Sequence, residues 1–129
     1  MIEMEGDYWL IKEEVNPDCL VVTTNGVVKG NGKLVMGAGI AKDFRNKFKD
    51  LDEYFGHCIE YTFLQYDNSY YIYHVVTSFD YNEIIIALQT KGHWKDPSKL
   101  NIVENSVKQL VQKVNEYNVN KVLMTRPGS

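Results

Sequence analysis

The sequence predicts one α/β domain, a three-layer α/β/α arrangement around a central mixed, largely parallel sheet. Three observations carry this. The runs Cys19–Thr24, Glu83–Gln89 and Lys121–Thr125 are apolar and β-branched without polar alternation, as in strands buried on both faces. Two other segments, after Gly39 and after Ser98, repeat apolar residues at helical spacing. A chain of 129 residues suffices for one core and leaves little room for a second.

Along the chain, Tyr8 to Lys12 reads as a short strand, and Asn16-Pro17 as a turn before the Cys19–Thr24 strand. Gly26 to Gly32 is glycine-rich and reads as loop. From Gly39, the residues Ile40, Phe44, Phe48 and Leu51 form one apolar stripe, with Lys42, Asp43, Arg45, Lys47 and Lys49 on the solvated side. Ile59 to Leu64 and Tyr70 to Val76 are aromatic and β-branched runs joined by Asp67-Asn-Ser, so they read as adjacent strands or a hairpin. Pro97-Ser98 then opens a long helix with Ser98 as N-cap. Its stripe is Leu100, Val103, Val107, Leu110, Val111, Val114 and Tyr117. A last strand, Lys121 to Thr125, precedes Arg126-Pro-Gly-Ser129.

Composition narrows the function classes. With 44% hydrophobic and 24% charged residues and a formal net charge of −3, the chain matches an ordinary globular protein and not a binder of long polyanions. Cys19 and Cys58 are too few and too dispersed for a disulfide scaffold, and no His/Cys spacing suggests a metal. The acidic start Met-Ile-Glu-Met-Glu-Gly-Asp7 lacks the basic and apolar regions of a signal peptide, and no apolar run reaches a membrane span. A cytoplasmic, unanchored protein with no membrane contact is expected.

Chemistry concentrates where strands end. Asn25-Gly26, Thr90-Lys91 and Thr125-Arg126 each follow a predicted strand, and parallel strands would bring them to one rim, where ligands of α/β sheets sit. Val35-Met-Gly-Ala-Gly-Ile-Ala41 is a small-residue turn opening into a helix. The first-turn N–H groups of such a helix lack intrahelical partners, and its dipole adds partial positive charge, so Gly37, Ala38, Gly39, Ile40 and Ala41 form a candidate phosphate cradle. The same glycines also suit an ordinary tight turn, and Asn25 before Gly26 also suits a turn asparagine.

The chain resembles a macro domain, the ADP-ribose-binding α/β/α fold, over essentially its whole length. The likeness lies in Gly6-Asp7, Val22-Thr-Thr-Asn25, Gly32-Lys-Leu-Val-Met-Gly-Ala-Gly-Ile-Ala41, Leu88-Gln-Thr-Lys-Gly-His-Trp94 and Val122-Leu-Met-Thr-Arg-Pro-Gly128. It is similar to phage and bacterial proteins of the ADP-ribose 1″-phosphate phosphatase-like type. It is also similar to the lysine-dependent branch with terminal ADP-ribose glycohydrolases and DNA-de-ADP-ribosylating antitoxins.

That resemblance implies roles for matching residues. Asp7 would accept a hydrogen bond from the adenine amino group, Asn25 would face the distal ribose, and Gly37 to Ala41 would form the first diphosphate loop. Arg126 and Gly128 belong to the matching C-terminal turn and join the candidate ligand contacts. Lys91 takes the place of the lysine that attacks the anomeric carbon in the glycohydrolase branch, a role open to an amine of lowered pKa. His93 is a candidate general acid or base beside it. Phe79 or Tyr81 is a candidate adenine stacker.

The implied partner is ADP-ribose or a related nucleotide, free or on an ADP-ribosylated macromolecule, with no cofactor and no metal. The implied activity is hydrolysis at the distal ribose: ADP-ribose 1″-phosphate phosphatase or de-ADP-ribosylation. A non-catalytic binder or sponge is the alternative. In relatives, the Arg-Pro-Gly turn runs on into a second phosphate loop, an acidic residue, a helix and a last strand; residues 1–129 are expected to form a single domain lacking these parts.

Overall fold

The computed structural model describes residues 4–125. In chain order these form α1 (Tyr8–Val15), β1 (Cys19–Thr24), α2 (Gly39–Lys47), α3 (Leu51–Thr62), β2 (Val75–Ser78), β3 (Ile84–Gln89), α4 (Leu100–Glu116) and β4 (Val122–Met124). The sheet order is β2-β3-β1-β4. Strand β1 pairs in parallel with β3, from Cys19 opposite Ile84 to Thr24 opposite Gln89, and in parallel with β4, while β2 runs antiparallel to β3. The mixed, largely parallel sheet expected from the sequence is therefore present.

Alternation within β1 divides the core into two layers. Leu20 and Val22 face a cluster with Leu34, Phe44, Leu51, Phe55 and Ile59, against which Tyr8 and Trp9 pack, so α1, α2 and α3 cover this side. Cys19 and Val21 face the other cluster, where Leu110, Val107 and Val114 of α4 close the sheet. A strand between two such layers must be apolar on both faces, which is why β1 was legible. Among the described residues, no helix is long and apolar enough to cross a membrane.

Several sequence expectations are corrected. Tyr8 to Lys12 is helical: Asp7 Oδ1 accepts the N–H groups of Trp9 (2.9 Å) and Leu10 (3.2 Å), capping α1, and Asn16 at φ 51° ends it before Pro17. The helix predicted from Gly39 to Leu51 is two helices, because Phe48 is extended and Asp50 adopts φ 64°. Ile59 to Leu64 belongs mostly to α3, whose Leu51, Phe55 and Ile59 fall four apart on one buried face.

Of Tyr70 to Val76, only Val75 and Val76 enter the ladder; His74 at φ 65° turns the chain, and Tyr70–His74 runs as an irregular strap. Finally, Lys99 and not Ser98 is the N-cap of α4, with no side-chain cap bond. The buried α4 stripe is Ile102, Ser106 and Leu110, whereas Leu100 and Val111 are 74% and 54% exposed.

Candidate functional site

The parallel ladder puts the carboxyl ends of β1, β3 and β4 on one rim, and backbone bonds join the first two. Thr90 N–H donates to Thr24 O at 3.0 Å, and Gly26 N–H donates to Gly92 O at 2.7 Å. Asn25 and the Lys91 loop are thereby neighbours. Arg126 and Gly128 lie outside the described residues.

Asn25 is buried, and its amide is used on both sides. Nδ2 donates to Val35 O (3.0 Å) and Oδ1 accepts the Val27 N–H (2.9 Å). These bonds tie the end of β1 to the segment leading into α2, which sets the glycine-rich turn beside the rim. Gly37, Ala38 and Gly39 are exposed, and Gly39 has φ +57° as it enters α2. The N-cap, Ala38, has no side-chain bond to the first turn, so the N–H groups of Gly39, Ile40 and Ala41 face outward without a capping oxygen. That is a local positive potential backed only by main chain.

Lys91 is half-buried, and its carbonyl accepts Gln89 Nε2 at 3.1 Å. Among the described residues, it forms no ion pair. His93 Nδ1 accepts the Lys95 N–H at 3.1 Å, a bond that leaves the proton of the neutral ring on Nε2. The His93 ring lies 5.1 Å from that of Trp94, so packing and a local turn fix it. Gly92 is required because the ring of Tyr70 occupies the space of any Cβ there.

Gln89 was missed by sequence reasoning. It is fully buried at the end of β3 and makes four bonds: Oε1 accepts Tyr73 N–H (2.9 Å) and His74 N–H (3.1 Å), while Nε2 donates to Tyr71 O (2.7 Å) and Lys91 O. A glutamine closing an apolar strand was the available signal, since a polar side chain buried there needs partners.

The remaining expected residues have structural contacts of their own. Asp7 is exposed, and its carboxylate caps α1. Phe79 packs edge-on against Tyr117 at 5.2 Å, and Tyr81 packs on Phe48 at 5.5 Å; both precede β3, at the end of the sheet opposite the rim. The stacking role considered for Phe79 or Tyr81 is therefore not supported by their placement. Two surface grooves also lie toward that opposite end, one including Tyr54, His57, Cys58 and Tyr81, the other Trp9, Lys12, Lys47 and Glu83. Among the described residues, no three His, Cys, Asp or Glu side chains form a group able to hold a metal ion.

Comparison with known proteins rests on structure. No family model and no curated protein matches the sequence. The macrodomain of Thermus aquaticus DarG superposes with TM-score 0.70 at 26% identity, covering 88% of this chain and 70% of that one. The macrodomain of Mycobacterium tuberculosis DarG gives TM-score 0.76 at 23% identity, covering 97% and 74%. This chain has the macro-domain fold. A third similar structure, Thermosipho africanus DarTG in complex with ADP-ribose, gives TM-score 0.68 at 22% identity, covering 96% of this chain and 32% of that one. On this rim, Asn25 links the loop that carries Lys91 to the segment leading into the Gly37–Ala41 turn.

Proposed function

We propose that residues 1–129 form a single macro-type unit that binds ADP-ribose or a close derivative in the cytoplasm. The observation that carries this is the junction of Asn25 with both neighbours: its side chain bonds Val35 at the base of the glycine-rich turn, and the next N–H bonds Gly92 beside Lys91. A diphosphate would sit on the first-turn N–H groups of Gly39, Ile40 and Ala41, the distal ribose by Asn25, and adenine toward Asp7. Arg126 and Gly128 are further candidate ligand contacts. The ADP-ribose held by the DarTG structure supports the choice of ligand.

The enzymatic version removes phosphate or a linked group at the anomeric carbon of the distal ribose. In the lysine route, the neutral Lys91 amine attacks that carbon as its bond to the leaving oxygen breaks, and water later releases the sugar from nitrogen. His93 is a candidate general acid or base beside that carbon. The second version is a non-catalytic binder or sponge that holds the same ligand without turnover.

Calorimetric titration with ADP-ribose tests the reading, with Gly37→Glu as the blocked control. No atom lies within 4 Å of a Cβ built at Gly37, so this carboxylate enters the cradle without clash. Parent binding lost in Gly37→Glu is the expected result; a parent that releases no heat eliminates the proposal. Phosphate release from ADP-ribose 1″-phosphate and de-modification of ADP-ribosylated protein and DNA then separate enzyme from binder. Lys91→Ala should abolish turnover and retain affinity if the lysine route operates.

A further inference from the structure

One peptide unit joins the two loops of the rim, that between Asn25 and Gly26, and it is held at both ends. Its N–H donates to Gly92 O at 2.7 Å, and its carbonyl accepts the Tyr73 hydroxyl at 2.8 Å. Tyr73 is fully buried in the strap, where its ring packs in the core below the rim. Its single hydroxyl proton goes to Asn25 O, so the bond between Thr24 Oγ1 and Tyr73 Oη is donated by Thr24. The result is a buried relay, Thr24 O–H to Tyr73 O–H to Asn25 C=O, with each donor polarising the next.

The strap itself is pinned. Tyr71 N–H donates to Gly26 O at 2.7 Å, and Gln89 Oε1 accepts the Tyr73 N–H. The Tyr73 hydroxyl thus stands on a fixed backbone and sets the plane of the Asn25–Gly26 peptide. Rotation of that plane would turn the Asn25 side chain and weaken the hold on Gly92, the residue after Lys91.

We propose that Tyr73 is a positioning residue of the candidate site, orienting Asn25 and the Lys91–His93 loop together through the Asn25–Gly26 peptide. This rests on the ADP-ribose reading for its functional meaning but has a structural readout of its own. Tyr73→Phe deletes the hydroxyl and keeps the ring, so the core packing survives. Of the two bonds lost with the hydroxyl, that to Asn25 O bears on the site, and loss of one such buried bond corresponds to about a fivefold to tenfold change in an equilibrium constant.

Amide hydrogen exchange and ADP-ribose titration on Tyr73→Phe, Thr24→Val, Thr24→Ser and Tyr54→Phe test it. Tyr54 donates to Thr77 O at the other end of the sheet, so Tyr54→Phe controls for loss of a tyrosine hydrogen bond. In the free protein, the Gly26 amide of Tyr73→Phe should exchange about tenfold faster relative to the Val21 amide, with no such change in Tyr54→Phe. ADP-ribose should bind Tyr73→Phe about fivefold to tenfold more weakly than parent. Thr24→Val should weaken binding in the same direction, Thr24→Ser should restore it, and Tyr54→Phe should match parent.

Unchanged Gly26 exchange in folded Tyr73→Phe overturns the positioning role whatever the ligand result. If Tyr73→Phe does not fold, Thr24→Val against Thr24→Ser decides the same question. A parent that binds no ADP-ribose sinks the functional reading alone, while equal affinity of parent and Tyr73→Phe sinks positioning and leaves that reading standing.

Discussion

The buried amide of Gln89 accepts the backbone N–H of Tyr73 at 2.9 Å and thereby binds the end of a central strand to a segment without regular structure. Strands β1 and β3 are apolar until this point; the strap that crosses their ends has backbone groups to satisfy and no ladder to satisfy them. Gln89 supplies both donor and acceptor in one side chain.

Replacement of that side chain should be severe. Gln89→Leu is close in volume but strands the N–H groups of Tyr73 and His74 and the carbonyls of Tyr71 and Lys91. Each buried unsatisfied group costs about 1–3 kcal/mol, and water reaches some of them, so a loss of about 3–5 kcal/mol is expected by urea unfolding. A change under about 1 kcal/mol would show that the strap does not depend on this clamp.

Asp7 provides a separable pair. Asp7→Ala removes the acceptor for the Trp9 and Leu10 N–H groups and should lower stability by about 1 kcal/mol, whereas Asp7→Asn keeps a capping oxygen and should stay near parent. Equal unfolding midpoints for all three chains would contradict the cap.

Gly56 lies in α3 where a Cβ would run into the carbonyl of Gly32 and the N–H nitrogen of Leu34. Both obstacles are backbone and cannot rotate away. Gly56→Ala should therefore destabilise by about 2 kcal/mol despite alanine's better helix propensity, and thermal unfolding reads the sign directly.

His74 carries the pH dependence that the structure predicts. Burial lowers its pKa below the ordinary 6.5, so the unfolded chain binds its proton more readily than the folded chain. Its contribution is full above that ordinary value and is lost as pH falls through the lower folded-state pKa. The urea midpoint should fall between about pH 7.5 and about pH 5.5, and His74→Asn, which suits the φ of 65° there, should flatten that fall. An unchanged slope in His74→Asn would assign the dependence to other groups.

Legibility followed the range of the interactions. The bounds of β1, Cys19–Thr24, agree in sequence and structure because a strand buried on both faces has an unbroken apolar run closed by polar Asn25. The shared rim of Asn25 and Lys91 followed from the same pattern plus the parallel expectation. Tyr8 to Lys12 misled because aromatic and β-branched residues favour strands locally, yet the Asp7 cap and the packing of Trp9 on Phe44 select a helix. Gln89 and Tyr73 gave little local sign of their tasks, since their partners lie 16 and 48 residues away.

By itself the sequence determined the α/β class, the strand ends where chemistry gathers and the small-residue turn into α2, all of which depend on neighbours in the chain. Only the tertiary structure decided how those ends are joined. Asn25 reaches Val35, Gly26 reaches Gly92, and the Tyr70–His74 strap fastens both loops through Gln89 and Tyr73. The reason is physical: apolar periodicity reports which face of an element is buried, whereas hydrogen-bond partners of buried polar groups are set by the geometry of the assembled fold.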